Sequence, residues 1–298
     1  MNKEVLVVEI SGKRPGTKKD RPTEKYNINY DHIIISNNSE GYITDWEIVN
    51  VPKDYVDWYK ENIKSSENAW YAPMNRSYAI KYAKEHGYKY LIQLDDNISW
   101  LHITAKTEKS KMYIPNNINM MNDYIQMLVE ILKNTNAGMA GCNIGSMSPP
   151  DKQFLAERFC YSLFALKLDI VPDIFQGDFE DDIEYRLKLK QKNIPCVQCV
   201  PLTYGKTGQA DTKDLTGCRA EYKKQGILRG EHMRKLYGDV YSCGYAKGIK
   251  AGRGAKTGER SKKILFKHKL KPFKVGVVVY NMQILKDTFK NIIEKYKK

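Results

Sequence analysis

Two adjacent aspartates and an asparagine form the first candidate site. The stretch Tyr90–Trp100 reads YLIQLDDNISW, so Asp95, Asp96 and Asn97 separate two apolar segments. Adjacent carboxylates that lose hydration repel each other, and a positively charged group must offset this repulsion. Mg²⁺ can do so, because it typically binds one or two carboxylates together with substrate phosphates. The alternative is a turn, since Asp and Asn favour turns. The apolar strand before the acids favours a functional role.

A second acidic cluster lies in the segment GDFEDDIEYRLKL. Its acids are Asp178, Glu180, Asp181, Asp182 and Glu184. Acids in the first turn of a helix complement its dipole, but this many acids in a chain of net charge +14 exceed what capping needs. A general base also needs a carboxylate held near a substrate hydroxyl. The sequence leaves both interpretations open, an acidic helix start and a catalytic base.

The predicted elements place the first acidic cluster at one edge of a sheet. Apolar runs at residues 4–10, 32–36 and 46–51 predict strands. Pro73 opens a predicted helix that ends at Gly87, and YLIQL follows as the next strand. This alternation predicts an α/β fold, a mostly parallel sheet with helices on both faces. Ligands of such sheets bind beyond the carboxyl ends of the strands, where these acids lie.

The chain is predicted to hold a catalytic domain at residues 1–243 and a basic extension at 244–298 that packs on it. Within the extension, residues 244–260 are rich in Gly and Lys without periodicity, which is typical of a mobile loop. Residues 273–280 predict a strand, and residues 281–298 predict a closing helix.

Composition and charge indicate a soluble globular protein. Of the 298 residues, 42% are hydrophobic and 28% are charged. The 49 basic residues exceed the 35 acidic ones. This balance indicates an anionic partner such as nucleic acid or a nucleotide, and the alternative is a lysine-rich, well-solvated surface.

Membrane and export signals are not evident in the sequence. No window reaches the ~18 apolar residues of a membrane span, and the N-terminus has too short an apolar core for a signal peptide. We therefore expect a cytoplasmic protein whose six cysteines are reduced thiols.

The two acidic clusters, in this order, resemble those of GT-A glycosyltransferases. These enzymes have a nucleotide-sugar-binding half, an acidic metal motif after a central strand and a later acidic pair on a helix. The segment NAWYAPMNRSYAIKYAKEHGYKYLIQLDDN is similar to the one that leads into that motif. Within this group the chain most resembles the TET-associated glycosyltransferases, which are related to the glucosyltransferase that makes base J. The resemblance covers roughly residues 4–202.

The resemblance implies a GT-A-like fold and a metal-dependent transferase. The enzyme would move a hexose, glucose, from a UDP-sugar to a hydroxyl of a hydroxymethylated pyrimidine such as hydroxymethylcytosine, as in bacteriophages that modify their DNA. Asp95 and Asp96 would face the nucleotide ribose and a Mn²⁺ or Mg²⁺ ion. Asn97 departs from the common Asp-x-Asp pattern, so the metal site loses one negative charge and should bind the ion more weakly.

Residue by residue, the resemblance also implies catalytic and donor-binding roles. Glu180 and Asp181 match the later acidic pair, and one of them, or Asp182, would deprotonate the acceptor hydroxyl. Arg76 would face the donor phosphates or sugar, and Arg14 matches a donor-binding position.

The C-terminal extension supplies two further candidates. The resemblance implies a histidine that completes the metal site, for which His268 is the first candidate and His232, which precedes the extension, is the second. Lys271 is a candidate donor-binding residue in the basic run at residues 247–274, which can close over a diphosphate or follow a DNA backbone. A solvated loop is the alternative for this run.

Other functions stay open at this stage. One alternative is a glycosyltransferase that acts on a saccharide or lipid-linked acceptor, and another is a basic nucleic-acid-binding protein without catalysis. YGKTG at residues 204–208 imitates a P-loop, but Val200 stands where the motif needs glycine. Cys196 and Cys199 form a CxxC without a second pair, which favours thiols of a reduced strand over a zinc site.

Overall fold

The computed structural model describes most of the chain. The described residues are 3–63, 71–106, 111–145, 153–176, 181–207, 228–248, 263–270 and 276–296. They form twelve strands: β1 (Val5–Ser11), β2 (Asp31–Ser36), β3 (Glu47–Asn50), β4 (Tyr90–Asp95), β5 (Ile98–Lys106), β6 (Lys111–Ile114), β7 (Met139–Ile144), β8 (Leu155–Ala156), β9 (Leu163–Lys167), β10 (Cys196–Lys206), β11 (Tyr241–Gly248) and β12 (Lys263–Leu270). Their helices are α1 (Lys53–Asn62), α2 (Tyr71–Glu85), α3 (Met120–Lys133), α4 (Asp181–Gln191), α5 (Leu228–Tyr237) and α6 (Met282–Glu294).

One large mixed sheet forms the centre of the fold. Its strand order is β3-β2-β1-β4-β9-β7-β10-β5-β6, and the short β8 pairs with β10. Strands β3, β2, β1 and β4 are mutually parallel, and β10 runs parallel to β7. Strand β9 is antiparallel to both of its neighbours, so β4, β7 and β10 point the same way. The predicted α/β class, a mostly parallel mixed sheet with helices on both faces, is confirmed.

Strand composition explains why this sheet is covered on both faces. All seven residues of β1 (VLVVEIS) are buried, and such unbroken apolar runs are typical of parallel strands packed on both sides. Val7 packs in the core layer that contains the apolar face of α3, and Leu6 packs in the opposite layer. Their alternation follows the two-residue period of a strand.

The helices divide between these two layers. Helix α3 buries its apolar side on one face, and α6 joins it there through Leu285 and Ile292. Helix α2 covers the other face with buried residues such as Met74 and Ile80, and Tyr185 of α4 lies in the same layer.

The C-terminal region departs in part from the sequence prediction. Strand β11 begins at Tyr241 and pairs antiparallel with β12, while residues 249–262 lie outside the described part. The predicted strand at residues 273–280 is not seen at residues 276–280, where Val279 forms only an isolated bridge to Thr135. The closing helix is present as α6, which begins at Asn281, whose side chain accepts a hydrogen bond from the backbone N–H of Ile284. None of the described helices has the length and apolar content that a membrane crossing needs.

Candidate active site at the carboxyl edge of the sheet

The first acidic cluster lies where β4 ends. Asp95 is the last residue of β4, and Asp96 and Asn97 form the turn into β5. Thr23 fixes this turn, because its hydroxyl donates to the Asp95 carbonyl at 2.6 Å and accepts from the N–H of Ile98 at 3.0 Å. The turn interpretation is therefore correct for the backbone. It leaves the two carboxylates at the edge where the parallel strands end, which suits a ligand site.

Asp95 is held between two cations. Nη2 of Arg76 lies 2.6 Å from its Oδ1, and Nζ of Lys206 lies 2.5 Å from its Oδ2. Burial alone would raise the pKa of Asp95, but the positive charges of Lys206 and Arg76 outweigh it and hold the pKa well below its usual range. Asp95 is therefore charged at every physiological pH.

Asp96 has a different environment. Its Oδ2 accepts a 2.7 Å hydrogen bond from the Ser11 hydroxyl, and Nε of Arg14 lies 3.1 Å from the same oxygen. Burial raises the pKa of Asp96 to about 6, although Arg14 and the Ser11 hydroxyl oppose this rise. The Tyr42 hydroxyl lies 2.8 Å from the Ser11 oxygen and accepts from the N–H of Arg14 at 3.3 Å. Tyr42 thus orders the loop that carries Arg14.

Arg76 joins the two acidic clusters. Its Nε donates to Oδ2 of Asp181 at 2.6 Å, while Nη2 of the same guanidinium binds Asp95. Nη1 also donates to the Gln93 side chain at 3.3 Å. Arg76 is 3% exposed, and a guanidinium this deeply buried needs such carboxylate partners. The predicted contact of Arg76 with the donor stays a prediction.

Asp182 is the acid of this cluster that is best placed to hold a proton. It is half-buried, and burial together with the neighbouring charge of Asp181 raises its pKa to about 8. Asp182 therefore keeps its proton to a higher pH than an ordinary aspartate. A carboxyl group poised near the working pH is suited to proton transfer.

Lys206 is the residue that sequence reasoning missed. It ends β10, and its Nζ also donates to Oγ of Ser162 at 2.7 Å. The strand register shifts between Gly205 and Lys206, and such a bulge re-aims a side chain. A Cβ at Gly205 would lie 1.9 Å from the Trp100 ring, so only glycine fits there. The signal was present in YGKTG, a lysine at the end of a buried strand.

Several predicted residues are not tested by the structure. Glu180 and Lys271 lie outside the described residues, as does Asp178. His268 occupies β12 opposite Cys243, but the structure describes only its backbone. Their predicted roles stay predictions.

The described residues offer little to a divalent cation. No three side chains of His, Cys, Asp or Glu within the described ranges come together in a way that could hold a metal. Both oxygens of Asp95 and one oxygen of Asp96 already contact cations. The side-chain oxygen Oδ1 of Asn97 is buried without a hydrogen-bond partner in this part of the chain. These residues do not fit a ready metal site.

The two CxxC thiols lie on opposite faces of β10. Cys196 packs in one core layer, and Cys199 packs in the other, across the sheet. Side chains on opposite faces of a strand do not converge on one ion.

Sequence comparison decides the family. The sequence model described as TET-Associated Glycosyltransferase matches residues 23–213, which is more than half of the chain. The chain belongs to the TET-associated glycosyltransferase family. This confirms the predicted resemblance, and the TET-associated glycosyltransferase uses a nucleotide-sugar donor. The matched range contains both acidic clusters, Arg76 and Lys206, whereas Arg14 precedes it.

Other comparisons add little about this TET-associated glycosyltransferase. No curated protein matches its sequence. A protein from Desulfovibrio desulfuricans G20 described as a nucleotide-diphospho-sugar transferase aligns with a TM-score of 0.35 and 10% identity, over 78% of this chain and 97% of that one. A mycobacterial protein aligns with a TM-score of 0.44 and 8% identity, over 93% of this chain and 86% of that one. Scores this low carry no functional argument.

Proposed function

We propose that this glycosyltransferase transfers glucose from UDP-glucose to the hydroxyl of a hydroxymethylated pyrimidine in DNA, as in the cytoplasm of a phage-infected cell. The observation that carries the proposal is the junction made by Arg76, which brings both acidic clusters to one edge of the sheet in a member of a glycosyltransferase family. A donor and an acceptor can meet only where the groups that act on each lie together.

The donor side of the site is formed by the ends of β1, β4 and β10. Asp95 and Asp96 lie there with Arg14 and Lys206 beside them. Carboxylates can accept hydrogen bonds from ribose hydroxyls, and the basic groups suit a diphosphate. No step is assigned to the predicted Mn²⁺ or Mg²⁺, because the described residues do not form a ligand set for it.

The acceptor side is the acidic cluster at α4. Asp181 is committed to Arg76, which leaves Asp182 as the better base among the described residues. Its ionised form would take the proton of the acceptor hydroxyl as the oxygen attacks the sugar. The raised pKa makes Asp182 a stronger base than an ordinary aspartate, at the cost of a smaller ionised fraction at neutral pH.

Charge supports DNA as the acceptor. The chain has a net charge of +14, which favours a polyanion. Strand β12 (KILFKHKL) carries Lys263, Lys267 and Lys269, which contribute to this positive charge.

A transfer assay tests the proposal. The purified chain is incubated with labelled UDP-glucose and duplex DNA that contains hydroxymethylcytosine or hydroxymethyluracil, with unmodified DNA as control. We expect label in the hydroxymethylated DNA alone. Label transferred to an oligosaccharide but to neither DNA would refute a DNA acceptor and indicate a saccharide acceptor instead. No transfer to any hydroxylated acceptor, from any UDP-sugar, would refute it.

A further inference from the structure

Three basic side chains surround the aspartates of the transferase site, and each comes from a different element. Arg14 follows β1 and lies 3.1 Å from Asp96. Lys206 ends β10 and lies 2.5 Å from Asp95, which Arg76 of α2 contacts on its other oxygen. Fixed positive charges therefore stand where the family resemblance implies a divalent cation.

These basic side chains differ in access to solvent. The side chain of Arg76 is 4% exposed, and its contacts go to protein groups. The side chains of Arg14 and Lys206 are 31% and 25% exposed. A guanidinium has five N–H donors and an ammonium has three, so each can bind a ligand oxygen while it keeps its carboxylate contact.

Three of the four carboxylate oxygens of Asp95 and Asp96 are already bonded to protein groups. Mg²⁺ binds through one or two carboxylates plus phosphates, but Asp95 is bonded through both oxygens and Asp96 through Oδ2. A divalent cation there would also meet the repulsion of Arg14 and Lys206. The neutral Asn97 in the place of a metal-binding acid is consistent with a site that neutralises phosphate by side chains.

We propose that Arg14 and Lys206 bind the donor diphosphate directly and fulfil the electrostatic role of a divalent cation. This inference rests on the proposed function. In the transfer step the bond between the anomeric carbon and the β-phosphate oxygen breaks, and its electron pair stays on that oxygen. A new bond forms from the acceptor oxygen to the same carbon, and the acceptor proton passes to Asp182. The two cations stabilise the negative charge that develops on the leaving diphosphate.

Calorimetric titration tests this role without requiring turnover. The full chain is treated with EDTA and titrated with UDP and with inorganic pyrophosphate, then again with Mn²⁺ present. We expect binding in EDTA and a change of less than about threefold in Kd with Mn²⁺. Lys206→Gln and Arg14→Gln should each weaken binding about tenfold, which corresponds to the loss of one charge-assisted hydrogen bond. Lys206→Arg should retain most of the affinity.

Controls separate the inference from the proposed function. Lys84→Gln, on the exposed side of α2, should bind UDP like the unmodified chain, and circular dichroism shows that each variant is folded. The titration of the unmodified chain in EDTA does not depend on any variant. Binding only with Mn²⁺ would overturn the inference and leave the proposed function standing. Failure of both UDP and pyrophosphate to bind under either condition would overturn both.

Discussion

Replacement of Arg76 by glutamine is the sharpest test of the connection between the two acidic clusters. The guanidinium contacts Asp95 and Asp181, each at 2.6 Å, and is almost fully buried. Removing one partner of a buried ion pair costs about 3–5 kcal/mol, because the other charge stays buried and unpaired. The carboxylates here are 20% and 18% exposed, so we expect the lower part of that range, about 3–4 kcal/mol. An unfolding entropy of about 2.1 cal/mol/K per residue over 298 residues makes that a fall in Tm of roughly 5–6 °C.

The pH dependence of this loss follows from the depressed pKa of Asp95. A carboxyl whose folded pKa lies below its unfolded value stabilises the fold above the unfolded pKa, about 3.9, and loses that effect as the pH falls toward the folded pKa. The free energy of unfolding, measured by urea denaturation, should therefore differ most between Arg76→Gln and the unmodified chain at pH 7. The difference should shrink as the pH falls from 4 toward 2, the range between the unfolded and the folded pKa of Asp95.

A matched control lies on the same helix. Lys81 forms an exposed pair with Glu85, so Lys81→Gln should cost about 0.5 kcal/mol or less. A double-mutant cycle of Arg76→Gln with Asp181→Asn should show a coupling energy of roughly 0.5–3 kcal/mol. An Arg76→Gln loss no larger than that of the control, or one that stays the same from pH 4 to pH 2, would refute the bridging role.

Three further predictions concern catalysis and packing. The transfer rate should rise with pH toward about 8, because Asp182 loses its proton over that range. Asp182→Asn should lower the rate about 100-fold or more and flatten the pH profile. A flat pH profile in the unmodified enzyme would exclude Asp182 as the base. Gly205→Ala should lower the free energy of unfolding by about 1–3 kcal/mol, because its methyl group would meet the Trp100 ring. Gly276→Ala, which has open space around it, should leave the thermal midpoint unchanged. Equal effects of the two substitutions would contradict the packing argument. Tyr42→Phe removes the hydroxyl that orders the loop after β1. Titration should then show an affinity for UDP that is lowered by about tenfold at most, because a net hydrogen bond contributes about 1 kcal/mol. An unchanged affinity would show that the loop holds its shape without this hydroxyl.

Local sequence patterns suffice to place the first acidic cluster. The apolar run of β4 ends at Asp95, and a parallel sheet puts ligands at that end. The helix that carries Arg76 is also predictable, because Pro73 and Gly87 fall near its ends. What the sequence does not reveal is the partner of Arg76, since a buried guanidinium selects the carboxylates that the assembled fold brings within reach.

Local sequence patterns cannot predict the contact of Lys206 with Asp95, because that contact depends on the order of the strands in the sheet. Its approach to Asp95 requires β10 to run parallel to β4 with the antiparallel β9 and the parallel β7 between them. No local periodicity encodes that order of strands. A motif search asks only whether YGKTG matches a P-loop, and therefore passes over a lysine whose importance depends on long-range pairing.

The distance along the chain between the two partners of this ion pair has a consequence for synthesis. Asp95 and Lys206 are separated by 111 residues, and contacts this remote form late because the intervening chain must first be ordered. A polypeptide still growing on the ribosome therefore carries Asp95 with only one of its two cationic partners, Arg76, until β10 has emerged. Premature termination before that strand would leave a charged, incomplete sheet edge, which is a substrate for chaperones and proteases rather than a smaller enzyme.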